Sequence, residues 1–203
     1  MTIVLNSSTG ITTPPVSVQG STSGTITLVA PAEAGTNTQT LVATTGTLAP
    51  IISGTALPST SGTAINFTDL PSWVKRITVM FDGVSLSGTD SFLIQIGDSG
   101  GLELTGYNGG GARFTVSAVA GATFTTGFGF NNATAGTLYS GSVTITNVTG
   151  NTWAASGTLG GSATEFACVL GGTKTLSAAL NSVTITRSGT NTFDAGTINI
   201  MYE

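Results

Sequence analysis

The chain has 203 residues, of which 39% are hydrophobic and only 7% charged, with five basic residues against nine acidic ones, a net charge of -4 and no histidine. Phosphate neutralisation needs a basic stripe, and the only adjacent basic pair is Lys75 and Arg76, which argues against nucleic-acid binding. Without histidine the commonest general base and metal ligand are missing, and most familiar hydrolase mechanisms with them. Charged residues normally approach a quarter of a globular domain. A surface this short of like-charge repulsion favours permanent assembly, so an obligate oligomer is expected. The single cysteine, Cys168, lies in the apolar run Phe166-Ala-Cys-Val-Leu170 and reads as an inert core thiol. The start, Met1-Thr-Ile-Val-Leu-Asn, has no basic region followed by a long apolar stretch. The expectation is therefore synthesis in a cytoplasm without membrane insertion.

In chain order, residues 1–56 carry Pro14, Pro15, Pro31 and Pro50 and short β-type runs such as Thr25-Ile-Thr-Leu-Val29. They read as an extended arm with brief strands, two of them joined at Gly35 and a further turn at Thr45-Gly46-Thr47. No aromatic residue precedes Phe67, so this arm lacks the material for a core and must be buried by copies of itself or by another protein.

The folded domain is expected over residues 57–203. Arg76-Ile-Thr-Val-Met-Phe-Asp82 alternates so that Ile77, Val79 and Phe81 share a face, and Phe92, Ile94 and Ile96 do the same in the next run. Further strands are expected over residues 124–130, 142–146, 152–156, 165–170, 182–187 and 197–202. Turns are expected at Asp82-Gly83, Ser87-Gly88, Asp98-Ser-Gly-Gly101, Gly150-Asn151 and Ser188-Gly189, where positive φ is tolerated. Short strands at this spacing predict an all-β antiparallel sandwich of jelly-roll type. The best helical candidate, Asp69-Leu-Pro-Ser-Trp-Val-Lys75, is about one turn long.

Three segments of the final domain carry a family resemblance: Ala64-Ile-Asn-Phe-Thr-Asp-Leu-Pro-Ser-Trp-Val-Lys-Arg-Ile-Thr-Val-Met-Phe-Asp82, Ser142-Val-Thr-Ile-Thr-Asn-Val-Thr-Gly-Asn-Thr-Trp153 and Phe193-Asp-Ala-Gly-Thr-Ile-Asn-Ile-Met-Tyr202. They resemble domains of tailed-bacteriophage virion proteins, both fibre tips and capsid decoration proteins. The resemblance implies a homotrimer assembled on a virion, attached through its amino-terminal arm to other virion proteins. A short tail or baseplate fibre that meets a host surface glycan is the form it implies first. A capsid-bound decoration protein or head fibre is the alternative, and a glycan-cleaving tailspike a further one. No cofactor is expected.

The candidate chemistry is sparse. Asp69, Asp82, Asp90, Asp98 and Asp194 fall at expected turns, where Asp caps backbone N–H groups. A glycosidase needs two carboxylates at a defined separation, and Asp90 with Asp98 is the pair to consider. Asp98 with Glu103 could hold calcium, although the spacing of the usual loop is missing. Gly171-Gly-Thr-Lys-Thr175 departs from the phosphate-loop pattern and reads as a hairpin. Trp73 and Trp153 could stack on sugars or serve as core, with Trp153 placed in the core. The surface singled out for receptor contact is Gly106-Tyr-Asn-Gly-Gly-Gly-Ala-Arg113, read as a glycine-rich loop displaying Tyr107, Asn108 and Arg113. A flexible solvated connection is the other reading of that loop.

Overall fold

The computed structural model describes residues 16–19, 25–28, 50–162 and 164–203, in two compact units, Met1–Thr47 and Leu48–Glu203. In the first, β1 (Val16–Gln19) and β2 (Thr25–Leu28) pair antiparallel with Val16 opposite Leu28. The reversal expected at Gly35 and the turn at residues 45–47 lie outside the described residues.

The second unit runs through β3 (Ile52–Ser53), β4 (Leu57–Pro58), β5 (Ile65–Phe67), β6 (Arg76–Leu86), β7 (Phe92–Asp98), β8 (Gly101–Leu102) and β9 (Asn108–Thr115). It continues with β10 (Val119–Phe124), β11 (Phe128–Phe130), β12 (Tyr139–Thr149), β13 (Thr152–Gly161), β14 (Glu165–Thr175), β15 (Leu180–Arg187) and β16 (Phe193–Tyr202). There is no helix among the described residues. The stretch from Asp69 to Lys75 closes one turn, through the Val74 N–H to the Pro71 carbonyl at 3.0 Å, and goes no further.

The strands form two antiparallel sheets. The larger has the order β10-β9-β14-β13-β12-β6-β16-β3, with β4 also on β16; the smaller has the order β11-β7-β15-β5, with β8 on β7. Within this order the pairings are nested: β4 with β16, β5 with β15, β6 with β12, and β7 with β11. First strand with last, second with penultimate, is the arrangement of a jelly roll. Two insertions, β9–β10 and β13–β14, lengthen the larger sheet beyond β12. Because Ser53 and Ile52 pair with Met201 and Tyr202, the sandwich begins upstream of the boundary expected at residue 57.

Alternation gives the core its two walls. Ile77, Val79 and Phe81 of β6 and Val143 and Ile145 of β12 are buried on one side, and Phe92, Ile94 and Ile96 of β7 with Val183 and Ile185 of β15 on the other. The expected turn at Asp82-Gly83 is instead a bulge inside β6. Gly83 takes φ 61°, the register slips against both β12 and β16, and the strand continues to Leu86. A residue pair tolerant of positive φ serves a bulge as well as a turn when both neighbouring strands continue to pair. The run from Phe124 to Phe130, expected as one strand, divides between β10 and β11, which belong to different sheets.

The largest departure is the glycine-rich segment, which is not a loop but β9, in register with β14 as Gly109 opposite Gly172, Gly110 opposite Gly171 and Gly111 opposite Leu170. Gly171 and Gly172, expected in a hairpin, are likewise mid-strand. The reason is clearance: a Cβ on Gly111 would stand 2.2 Å from the Gly129 carbonyl oxygen of β11 and 2.9 Å from that of Val169. The two sheets cross here backbone to backbone, and only glycine fits.

Gly111→Ala is therefore expected to destabilise the fold by about 1–3 kcal/mol through overpacking. Gly121→Ala on the neighbouring strand, where the new methyl would meet its nearest atom at 3.6 Å, should change stability by less than about 1 kcal/mol. Urea unfolding of the two variants side by side measures the difference.

Candidate functional site

The three residues expected to display a receptor surface do not converge. Tyr107 is buried to 3% exposure. Its hydroxyl accepts from the Ile96 N–H at 2.8 Å and lies 3.3 Å from the Ile96 carbonyl oxygen, to which it donates. Its ring meets Phe128 edge-on at 5.1 Å, and burial pushes the phenol up to about 12. Tyr107 is thus a strut between β7 and β9 rather than a contact residue. Asn108 is exposed at the start of β9, opposite Thr173. Arg113 is near the far end and projects to the opposite face, opposite Cys168. At about 3.3 Å per residue the two lie roughly 17 Å apart along the strand.

Arg113 instead opens onto a 310 Å³ cleft lined by Thr115, Ser117, Thr134, Thr164 and Glu165. Among the described residues, its Nε is buried with no hydrogen-bond partner, a donor whose desolvation goes uncompensated. Beside it Glu165 is 1% exposed. One carboxylate oxygen accepts the Ala133 N–H at 3.0 Å and the other accepts the Tyr139 hydroxyl. Asn132, also buried, donates to the Gly88 carbonyl at 2.8 Å and lies 3.2 Å from the Tyr139 hydroxyl. This network ties the chain between β11 and β12 to the β6–β7 turn and to the start of β14. Burial and the neighbouring Glu165 raise the Tyr139 pKa, so it stays a neutral donor. The sequence signal for this cluster was Glu165 itself: no Asp, Glu, Lys or Arg occurs between it and Arg113, and a buried acid must find partners.

A second cluster gathers Asp98 and Glu103, the pair considered for calcium. The structure brings them together around Ser177, whose hydroxyl donates to Asp98 at 2.6 Å and whose N–H donates to Glu103 at 2.6 Å. The cation present is the Lys174 ammonium, which pairs with Glu103 and sits 5.6 Å from the centre of the Tyr107 ring. Its side chain is only 7% exposed. Among the described residues, no group of three or more His, Cys, Asp or Glu is arranged to hold a metal.

The remaining candidates resolve into structure. Asp90 and Asp98 flank opposite ends of β7 and are roughly 25 Å apart along it, beyond the about 5–10 Å a glycosidase pair requires. Asp90 accepts the Asn191 N–H at 2.7 Å and Asp194 pairs with the Ser85 hydroxyl. Trp153 is core, 3% exposed, while Trp73 is 40% exposed and tilted against Tyr202 at 6.0 Å. Arg76 forms an ion pair with Glu203. Cys168 is fully buried, which pushes its thiol up to about 12. No helix of the described residues is long and apolar enough to cross a membrane. No protein-family model, curated protein or solved structure matches this chain.

Two outcomes follow from these environments. The Lys174 and Ser177 contacts hold Glu103 below its ordinary 4.5, and the Ser177 and Gly100 hydrogen bonds hold Asp98 below its ordinary 3.8. The unfolded chain therefore binds protons first as pH falls: stability is full above about pH 4.5 and declines as pH drops through the lowered values. Glu103→Gln should give a shallower acid limb in urea midpoints measured from pH 7 to pH 2. Cys168 should resist a thiol-specific reagent at pH 8 in the folded protein and react within minutes in denaturant.

Proposed function

We propose that this chain is a non-catalytic structural protein of a tailed-phage virion, a short homotrimeric tail or baseplate fibre. In this reading residues 1–56 attach it to other virion proteins and the sandwich meets the host surface. The observation that carries the structural reading is where the reactive side chains go. Glu165, Glu103, Asp98 and Lys174 are engaged with Tyr139, Ser177 or each other, and Cys168 is sealed in the core. An acid or nucleophile that already has its partners within the fold supports that fold and is not free to act on a substrate.

The segments that carry the resemblance to virion modules are near one another in the fold. These three segments cover β5 with the first half of β6, the length of β12 into β13, and β16. In space β12, β6 and β16 are consecutive strands of the larger sheet. Apart from β5, which lies in the smaller sheet, segments scattered in sequence thus lie side by side. Host contact is assigned to the Arg113 cleft, whose guanidinium and surrounding hydroxyls suit the oxygen atoms of a saccharide.

Labelled antibody and electron microscopy on the parent particle test the location, and adsorption of particles carrying Arg113→Ala tests the contact. The reading expects label at the tail and a roughly tenfold loss of adsorption, the effect of removing one charge-assisted hydrogen bond. Label on the head, with normal adsorption and particles that lose heat stability when the chain is deleted, would replace it with the decoration-protein alternative. No label on the particle would overturn both.

A further inference from the structure

The outer faces of the two sheets differ. On the central strands of the smaller sheet, β7 and β15, the outward residues are themselves buried, with Leu93, Gln95, Thr184 and Thr186 all at 9% exposure or less. On the larger sheet they are open. One row crosses five strands from β12 to β10 as Ser142, Thr158, Val169, Ala112 and Gly121, each opposite the next. Each of the first four is exposed or half-exposed. The row on one side, Thr144, Ser156, Gly171, Gly110 and Thr123, has the same makeup of small hydroxyl and glycine residues. From Phe114 to Thr164 the chain contains no Asp, Glu, Lys or Arg, so β10, β12 and β13 contribute no charge to this face at all.

At one corner the face turns apolar. Phe114 stands opposite both Val119 and Ala167, and Phe166 lies at the bulge where β14 begins. Phe114, Val119 and Phe166 are 37%, 66% and 51% exposed, and Val116 at the hairpin tip is 78% exposed. Two aromatic and two aliphatic side chains at the edge of a flat, small-residue surface have the composition of an interface anchor.

We infer that this face, anchored by Phe114, Val119 and Phe166, is where copies of this chain pack against one another. Two observations select a second copy as the occupant. The first is charge: identical faces repel if each carries a net charge, and this one carries none from β10 through β13, so self-contact has no like-charge term to overcome. The second is size. Five strands about 4.8 Å apart and roughly eight residues long cover about 600 Å² in projection, and the corner side chains extend it toward the about 800 Å² each partner brings to a standard interface. Beyond this face β10 is the edge strand of the sheet among the described residues, without proline or charge to block pairing, which allows the contact to continue into strand addition.

The inference rests on the homomultimeric reading above, and the experiment separates the two. The full-length protein is weighed by sedimentation equilibrium, alongside Thr158→Lys, Val169→Lys and, as a control on the loop before β5, Ser61→Lys. The expectation is a multimer for the wild type and for Ser61→Lys. The two face variants should dissociate at least 100-fold more readily and approach the 20.1 kDa of one chain. Circular dichroism confirms that the variants fold. Thr158→Cys with a short bis-maleimide linker gives a second measurement that needs no destabilised variant, because the native thiol is buried: dimer bands support the face, and monomer alone overturns it. A wild type that sediments as a monomer overturns both the multimeric reading and this one. A multimeric wild type whose face variants fold and keep the wild-type mass overturns the face alone.

Discussion

The sandwich depends on one aromatic cluster that spans both sheets. Phe92 of the smaller sheet stacks on Phe130 at 4.9 Å with the rings 12° apart, and Tyr139 of the larger sheet meets both edge-on, at 5.4 Å and 5.2 Å. Phe193, from the last strand, approaches Phe92 at 6.1 Å. All four side chains are at most 1% exposed. Each contributes about 1.5–3 kcal/mol by burial, and each well-oriented pair about 0.5–1.5 kcal/mol more. They come from β7, β11, β12 and β16, so the cluster forms only when early, middle and terminal strands have all arrived. The nesting of first strand with last is held at this point.

The same cluster organises the polar chemistry around it. The Tyr139 ring belongs to the core while its hydroxyl reaches out to Glu165, and Asn132 lies beside that hydroxyl. Anchoring the ring thus places the acid, and placing the acid ties down the Ala133 backbone. On the other flank Tyr107 repeats the arrangement. Its ring packs on Phe128, its hydroxyl pairs with the Ile96 backbone, and its face receives Lys174. In both places a tyrosine with an apolar body and a polar tip connects the core to a charged network at the rim. Glu165, Glu103 and Lys174 are thereby engaged within the fold, while Arg113 keeps a donor without a partner among the described residues.

Glycine decides how closely the inserted strands approach. Where β11 passes beneath β9, carbonyl groups occupy the space a side chain would take at Gly111. The insertions that widen the larger sheet are possible only because Gly109 and Gly111 face Gly171, Gly172 and Gly129 at this crossing. The outer half of this wide sheet presents small residues on its outward side, and the uncharged stretch between Arg113 and Glu165 forms most of that half.

Much of this was legible in the chain. Alternation identified Ile77, Val79 and Phe81 as one buried face, the Gly-Asn and Ser-Gly pairs marked true reversals, and the setting of Cys168 marked it as a core residue; these are properties of neighbouring residues, and neighbours are what a sequence lists. The glycine-rich segment was read as a display loop because glycine permits both flexibility and close approach, and which applies depends on what lies opposite. Tyr107 turned inward, Arg113 was parted from Asn108, and Glu103 received Lys174 and Asp98 received Ser177 as partners for the same reason: each outcome was decided by a partner many residues away. The sequence by itself determined the strand-forming alternation, the turns and the poverty of charge. Only tertiary structure decided that the uncharged residues would share one open face, because strand pairing, and not chain order, sets which side chains become neighbours.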